Sequence, residues 1–298
     1  MIEVKGVSHS FDRNKVLKNV DLTAGDGKVM GLVGINGAGK STLLRIMSGV
    51  YRTQTGTIFY DGKSPSDPET RRDIFFLPDD PYYTNDSTCK SVFELYKMLY
   101  PGADIEVFRK ITGEFSLPWK KPVRSFSKGM RRQVFIALAF AVSPKYMLLD
   151  EAFDGLDPLA RKMFKERIAS LVKEKNTTVI VSSHALKELE DFCDDYLLID
   201  KGIVTNTSGV MEKTLKYAKY QLAFMEKIDE SIFADLPVKS LKIVGRVATV
   251  TLESEGDVTE QKLKDLDPVI MDKLDVTFEE AFINDVDRTI TAEGGDMV

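Results

Sequence analysis

Apolar residues in this chain fall into short continuous runs, separated by stretches with helical spacing. Residues 2–7 alternate as a strand does, and KVMGLV (28–33) is a short apolar strand that runs straight into glycines. From Lys40, KSTLLRIMSG sets Leu43, Leu44 and Met47 on one helical face and stops at Gly49. Residues 57–60 read as a strand ending in an Asp61-Gly62 turn, and Ile74–Leu77 as another. From Ser87 to about Val142 the period is helical. Ser87 caps VFELYKMLY, Asp104 opens a helix carrying Ile105, Phe108 and Ile111, and Ser127 opens KGMRRQVFIALAF. Tyr146–Leu149 is a buried strand. Asp157-Pro158 starts a helix with proline at its first position, and Phe164, Ile168, Leu171 and Val172 form that helix's apolar face. A strand at 178–181, a helix at 185–192 and a strand at 196–199 follow. Strands alternating with helices imply a mostly parallel sheet with helices on its faces, here interrupted by an all-helical insert.

Near Asn206 the character changes. From Tyr220 the order is strand (YQLAF), hairpin (LKIV, Gly245-Arg246, VATVTLE), helix (TEQKLKDL), strand (VIMDKLDV) and helix (TFEEAFIND). The pattern predicts an α/β domain over 1–210 with its helical insert at about 82–145, a small α+β domain over 211–292, and a polar, disordered tail at 293–298. A length of 298 residues suits two such domains.

Composition narrows the class. A net charge of -5 argues against a nucleic-acid binder that relies on a basic surface, so no nucleic-acid partner is expected. The N-terminus lacks a signal-peptide pattern. Cys89 and Cys193 have no metal-ligand spacing and read as free thiols in a reducing cytosol. No window holds the roughly 18 consecutive apolar residues that a membrane span needs. The most apolar helix, VFIALAFAV (134–142), is too short. If the protein serves a membrane, another chain does the spanning.

GINGAGKST (34–42) lies between a strand and a helix, which is the context a phosphate loop requires. Around Asn36, Gly37, Ala38 and Gly39 the backbone can close its N–H groups on phosphate oxygens, and the helix start adds a positive dipole. Lys40 would reach the β- and γ-phosphates, Ser41 would offer a hydroxyl to Mg²⁺, and Thr42 would contact the α-phosphate. About a hundred residues on, MLLDEAFDGLDP crowds Asp150, Glu151, Asp154 and Asp157 behind an apolar run. Such a run carries acids to the carboxyl edge of a sheet, where ligands bind in open α/β folds. A surface acidic turn is the bland alternative. In a nucleotide site, Asp150 would hold Mg²⁺ and Glu151 would act as general base toward the attacking water.

With the motifs around this loop, the sequence resembles the ATP-binding subunits of ABC transporters. SFSKGM, from Ser125, matches the family's signature and keeps Ser127 and Gly129 at its key positions. Asp154-Gly-Leu-Asp157 matches the loop that crosses the family's dimer interface, which implies an interface and water-positioning role for Asp157. His184 matches the switch histidine that contacts the γ-phosphate. Phe11 matches the aromatic that stacks on adenine, with Val16 beside it. LPDDP, from Leu77, matches the loop joining core to helical insert. The resemblance covers about residues 1–210. It implies a P-loop NTPase core with a mostly parallel sheet, an N-terminal antiparallel β subdomain and an α-helical insert, with the small α+β domain beyond it. It also implies ATP and Mg²⁺ as cofactors and a homo- or heterodimer of ATPase subunits. The partner would be a membrane-spanning subunit on a separate chain, with this chain cytoplasmic on the membrane's inner face.

The departures leave alternatives open. Asp79 stands where the family usually has Gln; it is either a further Mg²⁺ ligand or part of a turn before Pro81. Lys128 replaces a signature glycine, directing its charge toward a partner's phosphate or into solvent. Met130 replaces the signature Gln, and Ala152 a usual Pro. Tyr82 and Tyr83 either help dock the membrane subunit or belong to the insert's core. The C-terminal domain reads equally as a sensor or as a dimerisation brace. The loop, the signature and the phrase TFEEAF are similar to bacterial exporters of the bacitracin, lantibiotic and multidrug type. The competing function is a soluble ABC-type ATPase or nucleotide-binding regulator not coupled to transport.

Overall fold

The computed structural model describes residues 1–184, 186–189, 192–206, 217–253, 257–274 and 276. Contacts divide the chain into two units, Met1–Ser208 and Gly209–Val298.

The first unit opens with two long strands, β1 (Ile2–Phe11) and β2 (Asn14–Ala24), paired antiparallel. After β3 (Val29–Val33) and α1 (Lys40–Met47), β4 (Thr55–Tyr60) returns to the other edge of β1. The resulting sheet has the order β2-β1-β4. Helix α2 (Pro68–Arg72) has Asp67 as its N-cap and proline at its start. Strand β5 (Ile74–Leu77) leads into the helical insert, α3 (Cys89–Leu99), α4 (Ile105–Glu114) and α5 (Lys128–Val142). Then come β6 (Tyr146–Leu149), α6 (Pro158–Lys175), β7 (Thr178–Ser183), α7 (Leu186–Leu189), β8 (Asp195–Asp200) and β9 (Ile203–Asn206).

The second sheet has the order β5-β6-β7-β3-β8-β9, with all neighbours parallel except β8 and β9. Its central strands β3, β6 and β7 are buried along their whole length, as strands covered on both faces must be. One apolar core joins the two sheets. Ile2, Val4 and Val7 of β1 pack in the same cluster as Leu32, Leu43, Met47, Leu148 and Ile180. The order places β6, β7 and β3 side by side, in matched register at Leu149–Val181 and Val33–Ser183. Three chain segments therefore leave the same sheet edge together: the loop after Val33, the acids after Leu149 and His184 after Ser183.

The helix starts at Asp104, Ser127 and Asp157 are as expected: each of these side chains accepts from an amide of the first turn. The expected Ser87 cap is corrected. Thr88 caps α3 in a reciprocal box with Ser91, while the Ser87 hydroxyl accepts from the Thr84 amide.

The second unit contains β10 (Tyr217–Ala223), β11 (Val238–Val244), β12 (Val247–Glu253), α8 (Asp257–Lys264) and β13 (Ile270–Leu274). Its antiparallel sheet runs β11-β12-β10-β13 and buries Tyr220, Leu222, Phe233, Val250, Leu252 and Leu263 in a core of its own. The expected helix TFEEAFIND and the expected tail lie outside the described residues.

Leu148 lies in β6, fully buried between β5 and β7. Leu148→Ala should lower stability by about 2–5 kcal/mol, the cost of a core cavity at a site that cannot collapse, measured by urea unfolding.

Candidate functional site

The loop after β3 is shaped by glycines. Gly37 and Gly39 have φ of 84° and 115°, backbone that residues with a Cβ rarely adopt. At Gly39 a Cβ would also lie 2.9 Å from Leu17 Cδ2 and 3.2 Å from the Val16 carbonyl. Strand β2 thus crosses directly against the loop, which ties Val16 and the β1–β2 hairpin to it. Helix α1 starts at Gly39 with no side-chain cap, so its first-turn amides are free of a competing side chain. Ile35, Asn36 and Gly37 are exposed, whereas Ala38 and Gly39 are buried.

Lys40 is buried under this loop. Its ammonium donates to the Gly34 carbonyl at 2.6 Å and the Ile35 carbonyl at 3.2 Å, and lies 3.2 Å from Glu151 Oε1. The other oxygen, Glu151 Oε2, is 2.9 Å from His184 Nδ1. Lys40, Glu151 and His184, from three different strand ends, therefore meet on one carboxylate.

Asp150 is fully buried. Its Oδ1 accepts from the Ser182 hydroxyl at 2.8 Å, and Oδ2 has no hydrogen-bond partner. Burial raises its carboxyl above the usual range, while the nearby Ser41 and Ser182 hydroxyls pull it back. Ser182 also accepts the Glu151 amide at 3.0 Å, so one hydroxyl fixes both acids. Glu151 itself sits at φ 48°, the left-handed region, which re-aims its side chain toward the loop.

The remaining acids of MLLDEAFDGLDP have other partners. Asp154 accepts from Lys128 at 2.7 Å, and this bond lowers its carboxyl below the ordinary value. Asp157 caps α6, accepting the Ala160 amide at 2.9 Å. Gly129 lies against the same turn, where a Cβ would fall 2.3 Å from the Gly155 carbonyl. Ser127 caps α5 through the Met130 amide, at an exposed position. Lys128 is exposed, as the solvent alternative has it, but its charge is paired with Asp154, with Asp79 3.8 Å away. Asp79 is more than a turn residue: its carboxylate meets the guanidinium of Arg132 at 2.6 Å. Tyr83 accepts from Arg131 at 2.6 Å and packs near Phe135, whereas Tyr82 is 84% exposed.

Phe11 is 45% exposed at the hairpin tip, its ring edge-on to His9 at 4.8 Å and to Tyr51 at 5.8 Å. Val16 is half-buried against the main core.

Sequence reasoning misses Ser182 and Arg132. Ser182 carries one usable signal, a hydroxyl at the end of a strand parallel to the one that delivers the acids. The Arg132 side chain, 1% exposed, gives none, since its carboxylate partner lies 53 residues away.

The arrangement is a cradle of amides and one cation facing two acids, one ion-paired and one with a free buried oxygen. It can seat phosphates and activate water beside them. Comparison with known proteins agrees. The family model described as ABC transporter matches residues 17–154. The ABC transporter ATP-binding protein YtrB of Bacillus subtilis (strain 168) is 30% identical over 285 residues, 95% of this chain and 97% of the relative. The lantibiotic transport ATP-binding protein SrtF of Streptococcus pyogenes is 32% identical over 65% of this chain and 84% of its own length. A solved ATP-binding subunit of an ABC transporter superposes with a TM-score of 0.65 at 29% identity, covering 72% of this chain and 92% of that one.

Because the folded pKa of Asp150 is raised, the folded chain takes up this proton more readily than the unfolded one. The nucleotide-free fold therefore loses stability from this group as pH rises through that pKa. Asp150→Asn should stabilise the nucleotide-free chain near neutral pH, with the gain vanishing in acid, as measured by urea unfolding across pH.

Proposed function

This chain belongs to the ATP-binding proteins of ABC transporters, a family of ATPases, and from that premise we propose that it powers a membrane-spanning subunit on a separate chain, working as one half of a head-to-tail dimer. The observation that carries the reading is the meeting of Lys40, Glu151 and His184 at the mouth of the phosphate loop.

ATP's phosphates enter the cradle of Asn36, Gly37, Ala38 and Gly39, with Ser41 and Thr42 at the helix start. Their charge offers Lys40 a stronger partner than Glu151. The carboxylate so released orients water and takes its proton as the water oxygen attacks the γ-phosphorus and ADP departs. His184 holds the second carboxylate oxygen and lies where it can meet the γ-phosphate. Phe11 offers an exposed ring for the adenine, with Val16 below.

The residues also fit Mg²⁺. The orphaned Asp150 Oδ2 with the Ser41 hydroxyl nearby is an oxygen donor set of the right hardness. Among the described residues no cluster of three or more His, Cys, Asp or Glu is present, so Asp150 and Ser41 are the residues that would hold the ion. Bound there, Mg²⁺ supplies charge neutralisation of the phosphates. Asp79 is committed to Arg132 and is left out of this set.

Ser127, exposed at the start of α5, and Gly129, packed on Gly155, would meet the nucleotide of the opposite subunit, with Asp157 at the interface. No helix among the described residues is long and apolar enough to cross a membrane, in keeping with a partner that does so. Tyr82, with Leu95, Met98 and Leu99 of α3, exposes apolar surface on the insert that supports docking to that partner, in a reading that puts the chain on the membrane's cytoplasmic side. The resemblance of its motifs to bacterial exporters makes the cargo an exported peptide, drug or lipid-like compound in this reading, and similarity to a lantibiotic transport protein supports the peptide class.

Glu151→Gln should keep ATP affinity while lowering turnover by at least about 100-fold, and should accumulate as an ATP-dependent dimer on size exclusion. Wild-type turnover in this variant would remove Glu151 from its role. A tagged chain purified from detergent-solubilised membranes should carry a multi-span protein in stoichiometric amount. Recovery without one would withdraw the transport reading and leave the ATPase.

A further inference from the structure

Arg132 is a buried cation that the site described above does not use. It is 2% exposed, and a guanidinium cannot shed its proton to escape burial. Such a group needs a counter-charge and acceptors for its donors. Nη2 donates to Asp79 Oδ1 at 2.6 Å, while Nη1 donates to the Pro78 carbonyl at 3.0 Å and the Asp150 carbonyl at 3.3 Å. Among the described residues, the other cation paired with Asp79 is Lys128, at 3.8 Å, and Lys128 is already bonded to Asp154.

The Asp150 carbonyl and the Glu151 amide belong to one peptide unit. Arg132 holds its oxygen, and the Ser182 hydroxyl holds its N–H. This unit joins the carboxylate with the free buried oxygen to the carboxylate on Lys40 and His184. It also leads into the left-handed backbone of Glu151, which relaxes unless its neighbours hold it. From these contacts we infer that Arg132 is a positioning residue for both acids, and that Asp79 is its counter-ion rather than a metal ligand. A carboxylate stands at 79 because the residue at 132 is a cation. A neutral Gln there would leave a buried guanidinium uncompensated.

The two partners are not equivalent. Asp79 is half exposed, so water takes over its charge when Arg132 is removed. Arg132 has no such recourse. Asp79→Asn should lower the melting temperature of the nucleotide-free chain by about 5–10 °C. Arg132→Gln should cost clearly less, and Asp79→Asn added to Arg132→Gln should cost nothing further. In turnover, Arg132→Gln should lower kcat by about 10-fold or more with KM for ATP little changed, as expected when an outer group stops orienting reacting ones. In that background Asp79→Asn should leave kcat unaltered.

The kinetic part rests on the ATPase reading, whereas the melting series needs no nucleotide. Absent turnover in the unmodified chain would sink the ATPase reading and leave the ion pair testable. The inference is overturned if Asp79→Asn leaves the melting temperature unchanged. It is equally overturned if this substitution raises the Mg²⁺ concentration needed for half-maximal ATP binding by the same factor with and without Arg132, the behaviour of a metal ligand. If Asp79→Asn alone does not fold, the paired variant decides. Melting like Arg132→Gln supports the counter-ion, and failure to fold where Arg132→Gln folds rejects it.

Discussion

Four carboxylates follow β6 within one short turn, at the edge of the sheet where an anionic ligand must also bind. Left alone, they would repel one another and any phosphate brought near. The chain resolves this by giving each acid a different partner. Glu151 is shared between Lys40 and His184, Asp154 goes to Lys128, and Asp157 to the start of α6. Only Asp150 keeps a buried oxygen without a partner, and burial raises its carboxyl accordingly. That uncompensated oxygen is the place where a cation adds most. Glu151, by contrast, is held by Lys40 and His184, and in the proposed reaction a stronger anion must claim Lys40 before the carboxylate is free.

The strand order makes this possible. With β6, β7 and β3 adjacent and parallel, three segments distant in sequence emerge at one edge in fixed register. Parallel strands buried on both faces leave little freedom for that edge to move. The hairpin of the smaller sheet is fixed to the same place by backbone contact, Val16 against Gly39. The phosphate loop and the acids after β6 are thus parts of one packed body rather than of loops that must find each other.

Much of this arrangement is legible in the order of residues. Strands β5 and β6 coincide with their apolar runs, IFFL and YMLL, because a strand covered on both faces has nowhere to place polar residues. Strand β2 escapes such reading. Its sequence, NKVLKNVDLTA, is half exposed, and Asn19 at φ 49° interrupts the alternation. Helix α2 is too short for a period, although its Asp67-Pro68 start is a usable signal. The phosphate loop and its two acids are legible because local backbone chemistry dictates them. Ser182 and Arg132 are not, since their importance comes from partners brought by the fold, and an arginine in RRQ reads as the polar face of a helix.

The departures from the family pattern become consistent when taken as one set of charges. Asp79 and Lys128 each place a charge where the family usually has a neutral residue. In isolation an anion at 79 would oppose phosphate binding, and a cation at 128 would distort the signature's approach to it. Together with Asp154 and Arg132 they form two ion pairs, linked by the 3.8 Å approach of Lys128 to Asp79, with no formal net charge. A neutral cluster has a field that falls off much faster than that of a single charge, so these departures add little net potential at the phosphate loop. The substitutions also fasten the loop after β5, the start of α5 and the turn after β6 to one another. These are the segments that carry the acids, the signature and the link to the helical insert, so any motion between insert and core must work against these pairs.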